Sequence, residues 1–99
     1  VGVMQIILRN EAYKGLRLVT EPIKEGKKEY IYTIGWHHVL HKFYLEECIT
    51  HFNCKPLLTE GNIVYSDSIE ELIREIEKRR GVKVYAREAI YAEEFYKTY

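Results

Sequence analysis

The stretch Gly35 to Phe52, GWHHVLHKFYLEECITHF, holds all four histidines of the chain. From Trp36 to Phe52 it is long enough, and dense enough in apolar and aromatic residues, to predict a helix that ends at Asn53 with Pro56 shortly beyond. On a helical wheel His38, Lys42 and Glu46 form one narrow polar strip, with Glu47 as an outlier. His37, His41, Tyr44, Cys48 and His51 lie in the wide arc opposite. A helix that is apolar around most of its circumference is expected at the centre of a fold, touching partners on two sides.

Three chemistries compete for those histidines. His37 and His41 at i,i+4 can hold one metal ion from a single helical face, but His38 stands where a zinc hydrolase helix keeps its general-base glutamate. Cys48, His51 and Cys54 form a second set with acceptable ligand spacing, about 16 Å along a helix from His37, so one ion cannot use both. A proton switch is the second chemistry. The third, which we expect, is structural: histidines satisfied by neighbours at a seam between two copies, with no metal and no other cofactor. Cys48 and Cys54 are also close enough in sequence to form a disulfide as an alternative to two thiols.

Downstream, Cys54 to Gly61 reads as a loop and Asn62 to Tyr65 as a short strand. Ile69 to Arg80 is a second helix. Ile69, Leu72, Ile73 and Ile76 share about 100° of arc, Glu70 with Arg74 and Glu75 with Arg79 are i,i+4 pairs, and Gly81 stands at the C′ position. Either Ser68 with Glu71 or Asp67 with Glu70 can cap its start. Val82 to Ala86 alternates as a strand, which makes Asn62 to Ala86 a βαβ crossover with parallel strands. Glu88 to Tyr99 predicts a third helix with Tyr91, Ala92, Phe95, Tyr96 and Tyr99 on one face.

Upstream, Val3 to Arg9 reads as a buried strand, and Leu16 to Ile34 as a β-hairpin with a long basic tip carrying Lys24, Lys27 and Lys28. The expectation is therefore a single α+β domain over residues 1–99. Its small mixed sheet, N-terminal antiparallel strands plus a C-terminal βαβ unit, would pack against about three helices.

The totals bound what such a domain does. Ninety-nine residues support one core. Fifteen basic and fifteen acidic residues cancel, removing the chain-wide attraction on which non-specific nucleic-acid binding relies. No apolar run is long enough to span a membrane. The opening VGVMQIILRN lacks a basic leader and a cleavage pattern, so an intracellular setting is expected; Val1 with Met4 close behind leaves the natural start open.

Fourteen glutamates stand against the single Asp67, with abundant Lys, Ile and Tyr and few amides, the bias reported for hyperthermophiles. With its small size and nine tyrosines, the chain resembles small uncharacterised proteins of filamentous viruses, of the lipothrixvirus and rudivirus type, that infect hyperthermophilic archaea. That resemblance lies in overall character and implies an intracellular viral protein, in the host cytoplasm, with no active site to transfer.

For chemistry, no paired carboxylates, no nucleophile with a base and no phosphate loop stand out. Tyr32-Thr33-Ile34-Gly35 is similar to half of the GIY-YIG nuclease signature, but the segment after it lacks the arginine that this family requires. We therefore expect a small, thermostable, non-enzymatic protein-interaction module that pairs with itself or another protein. The alternative is a nucleic-acid binder using Lys24, Lys27 and Lys28 to grip phosphates, with Tyr30 and Tyr32 stacking on bases.

Overall fold

A computed structural model describes residues 3–51, 57–58, 63–86 and 93–97. It is mostly β-sheet, 49% strand against 21% helical, so the α+β expectation with about three helices is corrected. One curled, mixed half-barrel sheet dominates, with about two short helices. Its strands are β1 (Gln5–Asn10), β2 (Arg17–Thr20), β3 (Ile23–Glu25), β4 (Lys28–His37), β5 (Lys42–His51), β6 (Leu57–Leu58), β7 (Val64–Ser66) and β8 (Lys83–Tyr85); the helix α1 spans Ile69–Arg80. A single helical turn at 93–96 is what the described residues contain of the expected C-terminal helix.

The largest correction falls on Trp36 to Phe52. In place of a helix, the chain finishes β4, turns at 38–41 and returns as β5, paired antiparallel from Lys28↔His51 to His37↔Lys42. The side chains explain why. On β5, Phe43, Leu45 and Glu47 are buried while Lys42, Tyr44, Glu46 and Cys48 alternate outward; on β4, Tyr30, Tyr32 and Ile34 point inward. That is the period of two of a half-buried strand, and aromatic and β-branched residues suit it. Two inversions hid the pattern: Tyr44 faces out and the charged Glu47 faces in.

Outward-facing Tyr44 has a definite place. It is the cross-strand partner of Gly35, and its ring lies where a Gly35 side chain would stand. The aromatic ring thus covers the strand glycine, which otherwise leaves backbone open and unpacked.

The sheet runs β6-β5-β4-β2-β1-β8, with β3 also on β4 and β7 also on β5. All neighbours are antiparallel except β1 and β8. β7 and β8 flank α1 in sequence and run in the same sense, yet β5, β4, β2 and β1 lie between them. The expected local βαβ unit is therefore replaced by a helix that crosses the whole concave side and joins the two ends of the sheet. Curling brings both ends within reach of α1, which contacts β7, β8, β4 and β5.

The helix has the bounds that its sequence pattern implies. Ile69, Leu72 and Ile76 are buried against the inward faces of Leu18, Ile34, Phe43, Leu45 and Val84. Burying each aliphatic side chain contributes about 1.5 to 3 kcal/mol, so this single stripe is enough to hold α1 down. Glu70 pairs with Arg74 at 2.7 Å and Glu75 with Arg79 at 2.9 Å. Gly81 closes the helix in the left-handed region at φ 63°, its N–H donating to the Glu77 carbonyl. The start is capped differently from expectation. Ser68 occupies the N-cap without a side-chain cap bond, while Ser66 Oγ accepts from the Ser68 N–H and donates to Glu71 at 2.6 Å.

The hairpin expected over Leu16 to Ile34 is a composite. β2 pairs with the far half of β4, then Pro22 ends the ladder and β3 makes its own tight hairpin with the near half, turning at Gly26. Thr20 repairs the break, its buried hydroxyl accepting from the Tyr32 N–H at 3.0 Å. Between β1 and β2, Asn10 organises the loop: its carbonyl oxygen accepts from the N–H groups of Ala12 and Arg17, and its amide donates to the Gly15 carbonyl.

Candidate interaction surfaces

The histidine row does not survive the loss of its helix. His37 ends β4, His38 and His41 are exposed in the turn, and His51 ends β5 at the other end of the hairpin. His37 and His38 stack at 6.2 Å between ring centroids, and His41 packs edge-on to Trp36 at 6.1 Å. Among the described residues no three His, Cys, Asp or Glu side chains form a metal-binding group. The Cys48/His51/Cys54 set reaches outside the described residues, which exclude Cys54 and the His51 side chain. Cys48 carries a free, half-buried thiol, and burial followed by the nearby Glu46 pushes it up from its ordinary range. Both causes disfavour the thiolate, the nucleophilic form.

The basic tip divides in the same way. Lys24, Lys27 and Lys28 are exposed around the β3–β4 turn, with Lys24 3.7 Å from Glu29. Tyr30 and Tyr32 share a face, as alternation requires, but that face is the core: Tyr32 is 0% exposed. Neither ring is available to stack on a base. Two arginines at the end of α1, Arg79 and Arg80, are engaged as well. Arg79 reaches Glu75 and Glu47, and Arg80 pairs with Glu25 at 2.9 Å and lies 3.9 Å over the Tyr30 ring.

Tyr32 instead anchors a buried polar cluster that periodicity cannot reveal. Its hydroxyl donates to Glu47 Oε2 at 2.6 Å, and Arg79 Nη1 approaches the same oxygen at 3.4 Å. Burial first, and then the Glu47 hydrogen bond, push the Tyr32 hydroxyl far above the phenol range. A carboxylate with 8% side-chain exposure needs such donors, because an unpaired buried charge costs several kcal/mol. The cluster ties β4, β5 and the end of α1 together.

With α1 filling the concave side, the convex side of the sheet presents the other set of alternating side chains. There β1, β2, β4 and β8 present Ile7, Val19, Ile31 and Tyr85, with Ile7 and Tyr85 directly paired across the ladder and both exposed. Two shallow depressions, about 660 and 450 Å³, share Ile7, Arg9 and Glu21 and form one two-lobed hollow. Its lining mixes Ile7, Val19, Ile31 and Tyr85 with the charged Arg9, Glu11 and Glu21, and the Glu21 carboxylate accepts from the Ile7 N–H at 3.1 Å. Apolar runs conceal this surface in the sequence. Val3 to Arg9 reads as one buried strand, whereas Ile6 and Leu8 point in and Ile7 points out.

The sheet's β8 edge is defended. β8 is three residues long, and the Val84 N–H is capped at 3.0 Å by Glu77 of α1. A short edge whose donor is already taken is a poor template for strand addition. Among the described residues no helix is long and apolar enough to cross a membrane.

Comparison with protein-family models, with curated proteins and with solved structures finds no match to this chain.

Proposed function

We propose that this chain is a non-catalytic protein-interaction module whose partner is a second copy of itself, docked on the convex face of the sheet. The carrying observation is the two-lobed hollow, where the apolar surface of Ile7, Val19, Ile31 and Tyr85 lies beside the charged Arg9, Glu11 and Glu21. Apolar centres with polar rims are the anatomy of protein interfaces. The hollow's mixed charge selects a second copy: about a two-fold axis, Arg9 of one protomer meets the Glu21 oxygen of its mate that the Ile7 N–H leaves open, and the reverse contact follows by symmetry. A chain with fifteen charges of each sign adds no net repulsion to that approach.

The defended β8 edge favours a face-to-face contact over strand exchange. Against catalysis stand the side chains packed into the half-barrel, and a single described cysteine whose thiolate is disfavoured. The bias towards Glu, Lys, Ile and Tyr supports a heat-tolerant protein, and the overall likeness to archaeal virus proteins supports an intracellular viral setting.

Sedimentation equilibrium tests the reading. It should give a reversible dimer with a dissociation constant in roughly the micromolar range, as for a modest interface. Ile7→Lys, which puts a charge among the apolar residues, and Arg9→Glu, which makes the lining repel its copy, should each return the monomer without lowering the melting temperature measured well below the dissociation constant. A chain that stays monomeric at millimolar concentration, or a dimer indifferent to both substitutions, would sink it.

A further inference from the structure

We infer that His37 is a proton-sensitive latch on the tip of the β4–β5 hairpin. The tip is a four-residue turn, 38–41, closed by the His41 N–H donating to the His37 carbonyl at 2.9 Å, with His41 in the left-handed region at φ 53°. A non-glycine residue there is disfavoured unless its surroundings hold it. One of those restraints is chemical. His37 Nδ1 accepts a hydrogen bond from the Leu40 N–H at 3.1 Å.

That bond exists only while Nδ1 keeps its lone pair. The neutral imidazole therefore carries its proton on Nε2, and protonation adds a second N–H that faces the Leu40 N–H directly. Acceptor becomes donor, and the contact changes from attractive to repulsive. No other side chain has an ordinary titration range that falls between pH 5 and 8.

Several groups face His37. From the turn, the His38 ring stacks on it at 19°. From β5, Lys42 is its ladder partner, with the ammonium drawn 3.0 Å from Asp67, and Tyr44 follows two residues on. From β7, Tyr65 offers a ring edge at 6.1 Å. His41 turns to Trp36 on the opposite side. The carboxylate among these neighbours, Asp67, is paired with Lys42. The latch controls what the tip displays, because Val39 and Leu40 are 68% and 50% exposed. At neutral pH they are held in one arrangement, and in acid they are released.

Amide NMR of the full chain, titrated from pH 8 to 5, tests the latch. The Leu40 amide proton should move upfield on the same curve as the His37 ring protons, with the latched population falling roughly fivefold. Amides of α1 should stay fixed. His37→Asn places a non-titrating acceptor at the position of Nδ1 and should abolish the Leu40 transition, whereas His38→Gln should leave it in place. A Leu40 amide that does not move while the His37 ring titrates, or a transition that persists in His37→Asn, overturns the inference.

Discussion

Replacing Tyr32 with phenylalanine removes one hydroxyl from the most buried part of the molecule and nothing else. The ring stays fully enclosed, so the loss is that of the 2.6 Å bond to Glu47, a carboxylate that retains Arg79 at 3.4 Å. A hydrogen bond to a charged acceptor contributes about 1.5 to 3 kcal/mol, which puts the destabilisation at pH 7 near 2 kcal/mol and the fall in melting temperature near 10 °C. The pH dependence makes the prediction sharper. Burial and Glu47 hold the folded-state hydroxyl well above the unfolded value of 10.0. Above pH 10 the unfolded chain therefore releases a proton that the folded chain keeps, and the wild type loses stability with rising pH. One unit above that value the loss is about 1.4 kcal/mol, and the variant, lacking the hydroxyl, does not share it. Urea denaturation followed by Trp36 fluorescence should thus show a gap between the two proteins of about 2 kcal/mol at pH 7 that shrinks to about 0.6 kcal/mol at pH 11. A gap that is constant over this range, or already below about 0.5 kcal/mol at pH 7, would refute the buried phenol–carboxylate pair.

Gly35→Ala drives a methyl group into the Tyr44 ring and should cost about 1 to 3 kcal/mol; most of that should vanish in the background of Tyr44→Ala, as a double-mutant cycle would reveal. Glu77→Ala uncaps the Val84 N–H, so we expect a loss of about 1 to 2 kcal/mol together with faster hydrogen exchange at Val84 and a greater tendency to aggregate. Asn10→Ala removes the acceptor shared by Ala12 and Arg17. It should lower stability by about 1 to 2 kcal/mol in chemical denaturation, with exchange rising first in the β1–β2 loop.

Where local signals agree with tertiary structure, the sequence can be read closely. For α1, an apolar stripe, two ion pairs in register, acidic residues in the first turn, basic residues in the last and a C′ glycine all converge, and the helix has the expected ends. The β4–β5 hairpin lacks that agreement. Its turn is built from His38, Val39, Leu40 and His41, with no glycine and no Asn-Gly pair to mark it, and a histidine takes the left-handed position. On β5 the inward Glu47 and outward Tyr44 invert what polarity alone assigns, because each answers to a partner distant in sequence, Tyr32 and Gly35. Such pairings become visible only once the register is known. The same holds for the convex hollow: Ile7 lies beside Tyr85 in one lobe and beside Ile31 in the other, and no local window contains them. Asp67 and Ser68 correctly mark a helix start, yet the capping hydroxyl comes from Ser66, whose position depends on β7 pairing with β5.

Self-association through the convex face is the central functional claim, and an amide NMR dilution series at constant pH tests it residue by residue. The account predicts shifts that change with concentration at Ile7, Arg9, Val19, Ile31 and Tyr85, while the buried residues of α1 and the hairpin tip stay constant. Spectra independent of concentration, or changes centred on Val39 and Leu40 or on the outer edge of β8, would contradict it.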